Sequence, residues 1–189
     1  MTQTGAIKQA SDLRAHFRQE LSEALSALRS EATVDTEADV VQLLDGFVRP
    51  DERRQRTLGF DRPAALLLGD ALEEDGAQRI AGLRELGDAC LYHCGFFEAK
   101  LARRGMKAAY YERMGRIAYG SLHELLEVRR PGDVFAGIFG ELERLVEPLV
   151  RALRHIAAPV LLRSPEADAV LERWTQARAL VSAPLLKLS

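Results

Sequence analysis

Apolar residues recur every three or four positions through most of the chain, which is the spacing of one face of an α-helix. In the first such segment, residues 11–29, leucine and phenylalanine form one stripe on an otherwise charged helix. No convincing segment alternates apolar and polar residues as a half-buried strand does. The pattern predicts an all-α fold, a single-domain helical bundle of about seven helices.

Start and stop signals divide the chain into these helices. Thr36 followed by Asp39 resembles a capping box, and Pro63 is suited to a first helical position. Gly105 and Asp133 are expected as a C-terminal and an N-terminal cap. The predicted helices cover about residues 11–29, 36–49, 63–76, 77–104, 107–127, 133–157 and 165–181.

The gaps between the helices are short, so we expect one domain over residues 11–181. Residues 1–10 are predicted to be a flexible N-terminus, and residues 182–189 a C-terminal tail. Residues 49–62 are rich in arginine and predict a polar loop. Pro148 falls inside the sixth helix, where a proline removes one backbone hydrogen bond, and should kink or split it.

The fourth and fifth predicted helices should form a central antiparallel hairpin, because only two or three residues connect them. Both are rich in aromatic residues and glycine, and each glycine inside a helix costs about 1 kcal/mol relative to alanine. Such glycines indicate either close helix packing or a pocket for a flat ligand or a partner side chain. Candidate partner- or ligand-binding residues are therefore taken from this hairpin: Tyr92, His93, Phe96, Tyr110, Tyr111, Arg103, Arg104 and Arg116.

Cys90, His93 and Cys94 fall within about one helical turn and could converge on a metal ion. Both cysteines also lie on the apolar stripe of their helix, where a free cysteine behaves as a small buried apolar residue. A structural zinc site would need a fourth ligand from elsewhere in the chain. No cofactor is predicted, with a metal or haem near these three residues as the alternative.

Charge is unevenly distributed although the chain as a whole has a net charge of only -2. Residues 1–47 hold four basic and eight acidic residues, whereas residues 98–116 hold six basic and two acidic ones. The resulting local charges of -4 and +4 could orient an acidic partner or a second copy of the chain. The near-neutral total and the lack of a recognition motif do not favour nucleic-acid binding.

Motifs of known chemistry are missing from the sequence. It contains no Gly-x-Ser-x-Gly, no phosphate-binding glycine loop and no second histidine for a His-Glu-x-x-His site. There is also no apolar run of the roughly 20 residues that cross a membrane, and no signal peptide at the start. We therefore expect a cytoplasmic protein-interaction or regulatory module without catalytic activity, which binds a protein partner or forms a homo-oligomer. The alternatives are a ligand, haem or metal sensor, and an enzyme that uses a helical pocket.

Overall fold

The computed structural model of the chain describes residues 3–48, 62–103, 105 and 107–163. Every regular element in these ranges is a helix, which confirms the all-α prediction. The helices are α1 Gln3–Ala27, α2 Val34–Val48, α3 Ala64–Glu73, α4 Gly76–Phe96, α5 Glu98–Arg103, α6 Ala108–Arg129 and α7 Val134–Arg163. Six of them have ten or more residues, one fewer than the seven expected, and α5 has only six. The predicted helix at 165–181 lies outside the described residues.

Helices α4 and α6 form the predicted central hairpin. Asp88 of α4 contacts Tyr119 of α6, and Cys94, later in α4, contacts Ala108, earlier in α6. Contacts that run in opposite directions along the two helices show that they are antiparallel. The prediction of a central antiparallel hairpin is therefore confirmed.

Helix α7 completes a layer of three packed helices. His123 of α6 lies beside Ala136 near the start of α7, and Glu112 near the start of α6 pairs with Arg154 far along α7. Arg154 also binds the carbonyl oxygen of Cys94. Helix α7 is thus antiparallel to α6 and runs in the same direction as α4.

The hairpin differs from the prediction where one continuous helix was expected over residues 77–104. The chain leaves helical geometry at Phe97 (φ -126°, ψ 24°), and a separate short helix, α5, follows. Arg154 Nε donates to the carbonyl oxygen of Cys94 at 3.1 Å, where a continuous helix would use the amide of Glu98. Gly105, which follows α5, has the positive φ (+69°) expected of a helix-terminating glycine.

The start of α2 also differs from the prediction. Thr33, not Thr36, caps the helix, because its hydroxyl accepts the Thr36 amide at 3.3 Å. Thr36 is fully buried inside the first turn. Asp39, predicted to complete a capping box, instead pairs with Arg84 of α4. The capping-box assignment was therefore wrong by one helical turn.

Two further expectations concern α1 and α7. Helix α1 begins at Gln3 rather than near Ser11, so residues 3–10 are helical; their predicted flexibility stays a prediction. Asp133 caps α7 as predicted, since its carboxylate accepts the Phe135 amide at 2.8 Å. Helix α7 then continues through Pro148 as one element of 30 residues. The predicted split at this proline was wrong, and a kink there stays a prediction.

Helix α3 lies beside both helices of the hairpin. It is joined to α4 by a short turn, and a Cβ placed on Gly82 of α4 would lie 3.1 Å from the Cβ of Ala71 in α3. Because α3 and α4 are antiparallel, α3 runs in the same direction as α6. The Ala65 amide donates to Tyr110 Oη at 2.9 Å, which fixes the start of α3 against the start of α6. None of the helices in the described ranges is long and apolar enough to cross a membrane.

Candidate functional site

The predicted metal-binding residues lie in the interior of the bundle. Cys90 and Cys94 are fully buried, and His93 is 7% exposed. Burial raises the pKa of Cys90, with a further contribution from Cys94, and burial raises the pKa of Cys94 to about 12. The Cys94 thiol instead donates to the carbonyl oxygen of Ala108 at 3.5 Å.

In the part of the chain that the structure describes, no group of three His, Cys, Asp or Glu side chains is placed to hold a metal ion. The metal or haem alternative therefore stays a prediction without geometric support.

The predicted aromatic residues divide into a buried group and a surface residue. Tyr92 stacks on Phe96 with ring centroids 4.9 Å apart and meets Phe97 edge-on at 5.5 Å. Tyr92 and Tyr111 are buried, and burial raises the pKa of both hydroxyls, that of Tyr111 with smaller contributions from Tyr110 and the two cysteines. Tyr110, in contrast, is 37% exposed. Tyr110 nevertheless meets the ring of Tyr111 edge-on at 5.0 Å, and the role of these residues in binding stays a prediction.

The glycines of the hairpin are explained by close packing. A Cβ on Gly87 would lie 2.6 Å from the ring of Tyr119, and one on Gly95 would lie 2.5 Å from the Cβ of Leu153. Neighbouring side chains also lie close to where a Cβ would be on the two glycines of α6, Gly115 and Gly120. The space that a ligand would need beside Gly87 and Gly95 is filled by the protein itself.

The predicted basic residues are only partly described. The side chain of Arg103 and the whole of Arg104 lie outside the described residues, whereas Arg116 is exposed on α6. Lys107 and Arg113 are exposed on the same helix. The basic character expected from residues 98–116 is therefore found on the outer side of α6.

A buried polar network that the sequence analysis missed joins α2, α4 and α6. Arg84 donates to Asp39 at 2.5 Å, lies 3.7 Å from Asp88 and stands 5.5 Å from the ring centre of Phe139. Tyr119, fully buried, donates to Asp88 at 3.0 Å. Asp88 lies in an otherwise apolar stretch of α4, which was the available signal.

The electrostatics of this network favour an ionised arginine. Burial alone would lower the pKa of Arg84, but Asp88 and Asp39 outweigh that effect and raise it. Burial and the neighbouring Asp88 raise the pKa of Tyr119, which therefore stays protonated and donates its hydrogen bond. One guanidinium faces two carboxylates, and the donors Arg84 and Tyr119 are directed at them, so the network holds α2, α4 and α6 together.

Arg154 forms a second connection that the sequence did not reveal. Besides the Cys94 carbonyl, it lies 3.1 Å from Glu98 and 3.2 Å from Glu112. These are the two acidic residues in the basic segment at 98–116. Because both face Arg154, neither offsets the arginines on the outer side of α6.

The remaining candidate is an apolar surface on α3 and α6. Leu66 is 52% exposed, and Leu72, Tyr110 and Ile117 are each 37% exposed. The hydrogen bond from the Ala65 amide to Tyr110 Oη holds the start of α3 against the start of α6. We call these four residues the α3/α6 surface.

Charged residues of both signs surround the α3/α6 surface. Arg113 and Arg116 are exposed beside it on α6, and no acidic residue in the described ranges forms an ion pair with either. Glu73, Glu74 and Asp75 are exposed at the end of α3. A Cβ on Gly69 of α3 would meet no atom within 4 Å, so the helix is open there.

A second exposed apolar group lies at the turn between α6 and α7. Val128, Val134 and Phe135 are 83%, 65% and 58% exposed. The acids beside them, Glu127 and Asp133, accept backbone amides of the turn at 3.0 and 2.8 Å. These hydrogen bonds stabilise the turn itself, so its two carboxylates already have partners there.

Comparison with protein-family models, with curated proteins and with solved structures finds no match for this chain. The functional assignment therefore depends on the chemistry of its own surfaces. The α3/α6 surface combines apolar area with charge of both signs and is the place where a second protein segment could bind.

Proposed function

We propose that this protein is a helical interaction module that binds an amphipathic helix of a partner protein on the α3/α6 surface. The observation that carries the proposal is the exposure of four large apolar side chains on two parallel, adjacent helices. A helix whose apolar residues recur every three or four positions would cover such a surface along its length.

The apolar residues of the α3/α6 surface contribute only part of the free energy that a specific complex needs. Complete burial of a leucine, isoleucine or similar side chain contributes about 1.5–3 kcal/mol. The four residues are 37–52% exposed, so their remaining burial would contribute about 1 kcal/mol each. The cost of association offsets much of this sum, which makes the charged residues important for selection.

The charge on α6 indicates the chemistry of the partner. Arg113 and Arg116 are both exposed beside the surface, and the acids of the same segment are engaged by Arg154. A partner helix with glutamate or aspartate along the edge of its apolar stripe would meet these arginines. Complementary charge of this kind contributes to selectivity and to the rate of association.

Two synthetic helical peptides test the proposal. They share one apolar stripe and contain no tryptophan, and one is flanked by glutamate whereas the other is flanked by lysine. Fluorescence anisotropy of labelled peptides should show at least tenfold tighter binding of the glutamate-flanked peptide, and the R113E/R116E variant should reverse that preference. I117E should abolish binding of both peptides.

V128E is the matched control, because Val128 is also a β-branched apolar residue of α6, is even more exposed than Ile117, and lies at the α6–α7 turn. It should bind the glutamate-flanked peptide as the wild type does. Equal affinity for both peptides, or unchanged binding by I117E, would overturn the proposal. Binding lost in V128E as well as I117E would show that the effect is not specific to the α3/α6 surface.

A further inference from the structure

We propose that residues 164–181 of this chain bind to its own α3/α6 surface, so that a partner must displace them. The inference rests on the proposed function, since it concerns regulation of the same surface. The segment follows directly from α7 and lies outside the described residues. Its sequence, its charge and the position from which it leaves the bundle each support the assignment.

The sequence of the segment has the form of the proposed partner helix. Val170, Trp174, Ala177 and Val181 recur at steps of four, three and four residues, which places them on one helical face. Ser164 followed by proline is a typical helix start. The segment therefore predicts an amphipathic helix with a large aromatic residue near the centre of its apolar face.

Its charges complement those around the α3/α6 surface. Residues 166–172 contain three acids and no basic residue, whereas residues 173–181 contain two arginines and no acid. The surface has its arginines and Lys107 on α6, and its exposed acids, Glu73, Glu74 and Asp75, at the end of α3. A segment that enters at the start of α6 and runs toward the end of α3 would bring opposite charges together at both ends.

The position of α7 allows this path. Arg154 lies against Glu112, and α7 continues nine residues beyond Arg154. At 1.5 Å per residue that is about 14 Å, which carries the end of α7 past the start of α6, where Tyr110 lies. The chain can turn back at Ser164 and Pro165, where the predicted helix starts, and then run along α6 toward the end of α3.

The apolar face of the segment is also long enough to cover the surface. Val170 to Val181 spans about 16 Å of helix, and Tyr110 to Ile117 spans about 10 Å. A segment tethered by a short connection is present at an effective concentration of about 1 mM or more. A partner that shares the surface must compete with it, so its apparent affinity is reduced by the fraction of chains in which the surface is covered.

Trp174 is the single tryptophan of the chain and reports directly on this contact. In the full-length protein, its emission should be blue-shifted and protected from acrylamide quenching. I117E, and independently L72E on the other helix, should shift the emission to the red and restore quenching. Far-UV circular dichroism should show that both variants remain helical, and V128E should leave the emission unchanged.

Each outcome of the fluorescence experiment either supports or overturns the inference that residues 164–181 cover the surface. Solvent-like emission in the wild type, or shielded emission that neither I117E nor L72E alters, overturns the inference. Emission that changes with protein concentration shows that a second copy provides the segment and also overturns it. Emission that is shielded, independent of concentration and exposed by both substitutions supports it.

The same experiment separates this inference from the proposed function. The glutamate-flanked peptide should shift the Trp174 emission of the wild type to the red as it displaces the segment. If Trp174 is solvent-exposed from the start and the peptide still binds, the covering segment is refuted and the interaction module stands. If the peptide binds nowhere, the proposed function fails whatever Trp174 shows.

Discussion

Substitution of Gly87 by alanine tests whether the hairpin glycines serve close packing. The new Cβ would lie 2.6 Å from Tyr119 Cε1, whereas carbon atoms pack at about 3.5–4.0 Å. The ring must therefore move by about 1 Å. It is fully buried and its hydroxyl is held by Asp88 at 3.0 Å, so it cannot move without disturbing that hydrogen bond.

The magnitude follows from three contributions. Overpacking in a core costs about 1–3 kcal/mol. Weakening a hydrogen bond to a charged group costs about 1.5–3 kcal/mol, and the better helix propensity of alanine returns about 1 kcal/mol. We expect the G87A variant to lose about 2–4 kcal/mol of unfolding free energy, measured by urea denaturation followed by circular dichroism.

Gly69 provides the matched control, because it is also inside a helix and a Cβ there meets no atom within 4 Å. G69A should be more stable than the wild type by about 0.5–1 kcal/mol, since alanine has the higher helix propensity and no neighbour must move. If G87A were as stable as G69A, the packing explanation would be refuted. The space beside Gly87 would then have to be available to something other than Tyr119.

Three further predictions concern buried charge and thiols. Replacing Arg84 by methionine leaves two buried carboxylates without their cation and should cost about 3–5 kcal/mol in urea denaturation. Burial alone would raise the pKa of Glu141, but hydrogen bonds from Thr33 and its neighbours lower it below 4.5. The ionised carboxylate therefore stabilises the fold above pH 4.5, and this stabilisation is lost as the pH falls through the lowered pKa of the folded state. E141Q should therefore be less stable at neutral pH and flatten this acid loss in denaturation curves recorded across pH; an unchanged slope would contradict the assignment. Cys90 and Cys94 should resist a thiol reagent in the folded protein at pH 8 and react after unfolding, and rapid reaction of folded protein would contradict the raised pKa values.

The fold could be predicted from the sequence to the extent that it depends on local periodicity. The helices and the central hairpin follow from the spacing of apolar residues and from caps such as Asp133. The break at Phe97 could not be predicted in this way, because the carbonyl oxygen of Cys94 that it leaves free is bound by Arg154, which is 60 residues away in the sequence. Contacts of this range are set by how helices pack, which periodicity does not encode.

The candidate site was predictable only in part. The sequence correctly indicated that the glycines of the hairpin require explanation, but it left packing and a pocket as alternatives. The distances at Gly87 and Gly95 decide for packing, because they are determined by the side chains that the folded chain places opposite. The α3/α6 surface was missed because Leu66 and Leu72 read as buried residues of an amphipathic helix.

Helix α6 explains how one hairpin can supply both the core and an exposed surface. One face holds Tyr111, Ala118 and Tyr119, all buried against α4 or α7, and the opposite face holds Tyr110 and Ile117, which remain exposed. A large apolar residue at a solvent-facing helical position gains nothing from burial in the isolated bundle. The packed face accounts for the glycines and the buried aromatic residues, so only the exposed face is left to account for a partner.

The charged residues of this region are also divided, into those paired with Arg154 and those exposed on α6. Arg154 pairs with both acids of the basic segment, Glu98 on α5 and Glu112 on α6, whereas Arg113 and Arg116 are exposed on α6. A local excess of +4 in the sequence becomes a one-sided charge only because the fold separates acids from bases in this way. In the proposed function, Arg154 thus has a second consequence, because by pairing with these acids it leaves Arg113 and Arg116 to meet an acidic partner.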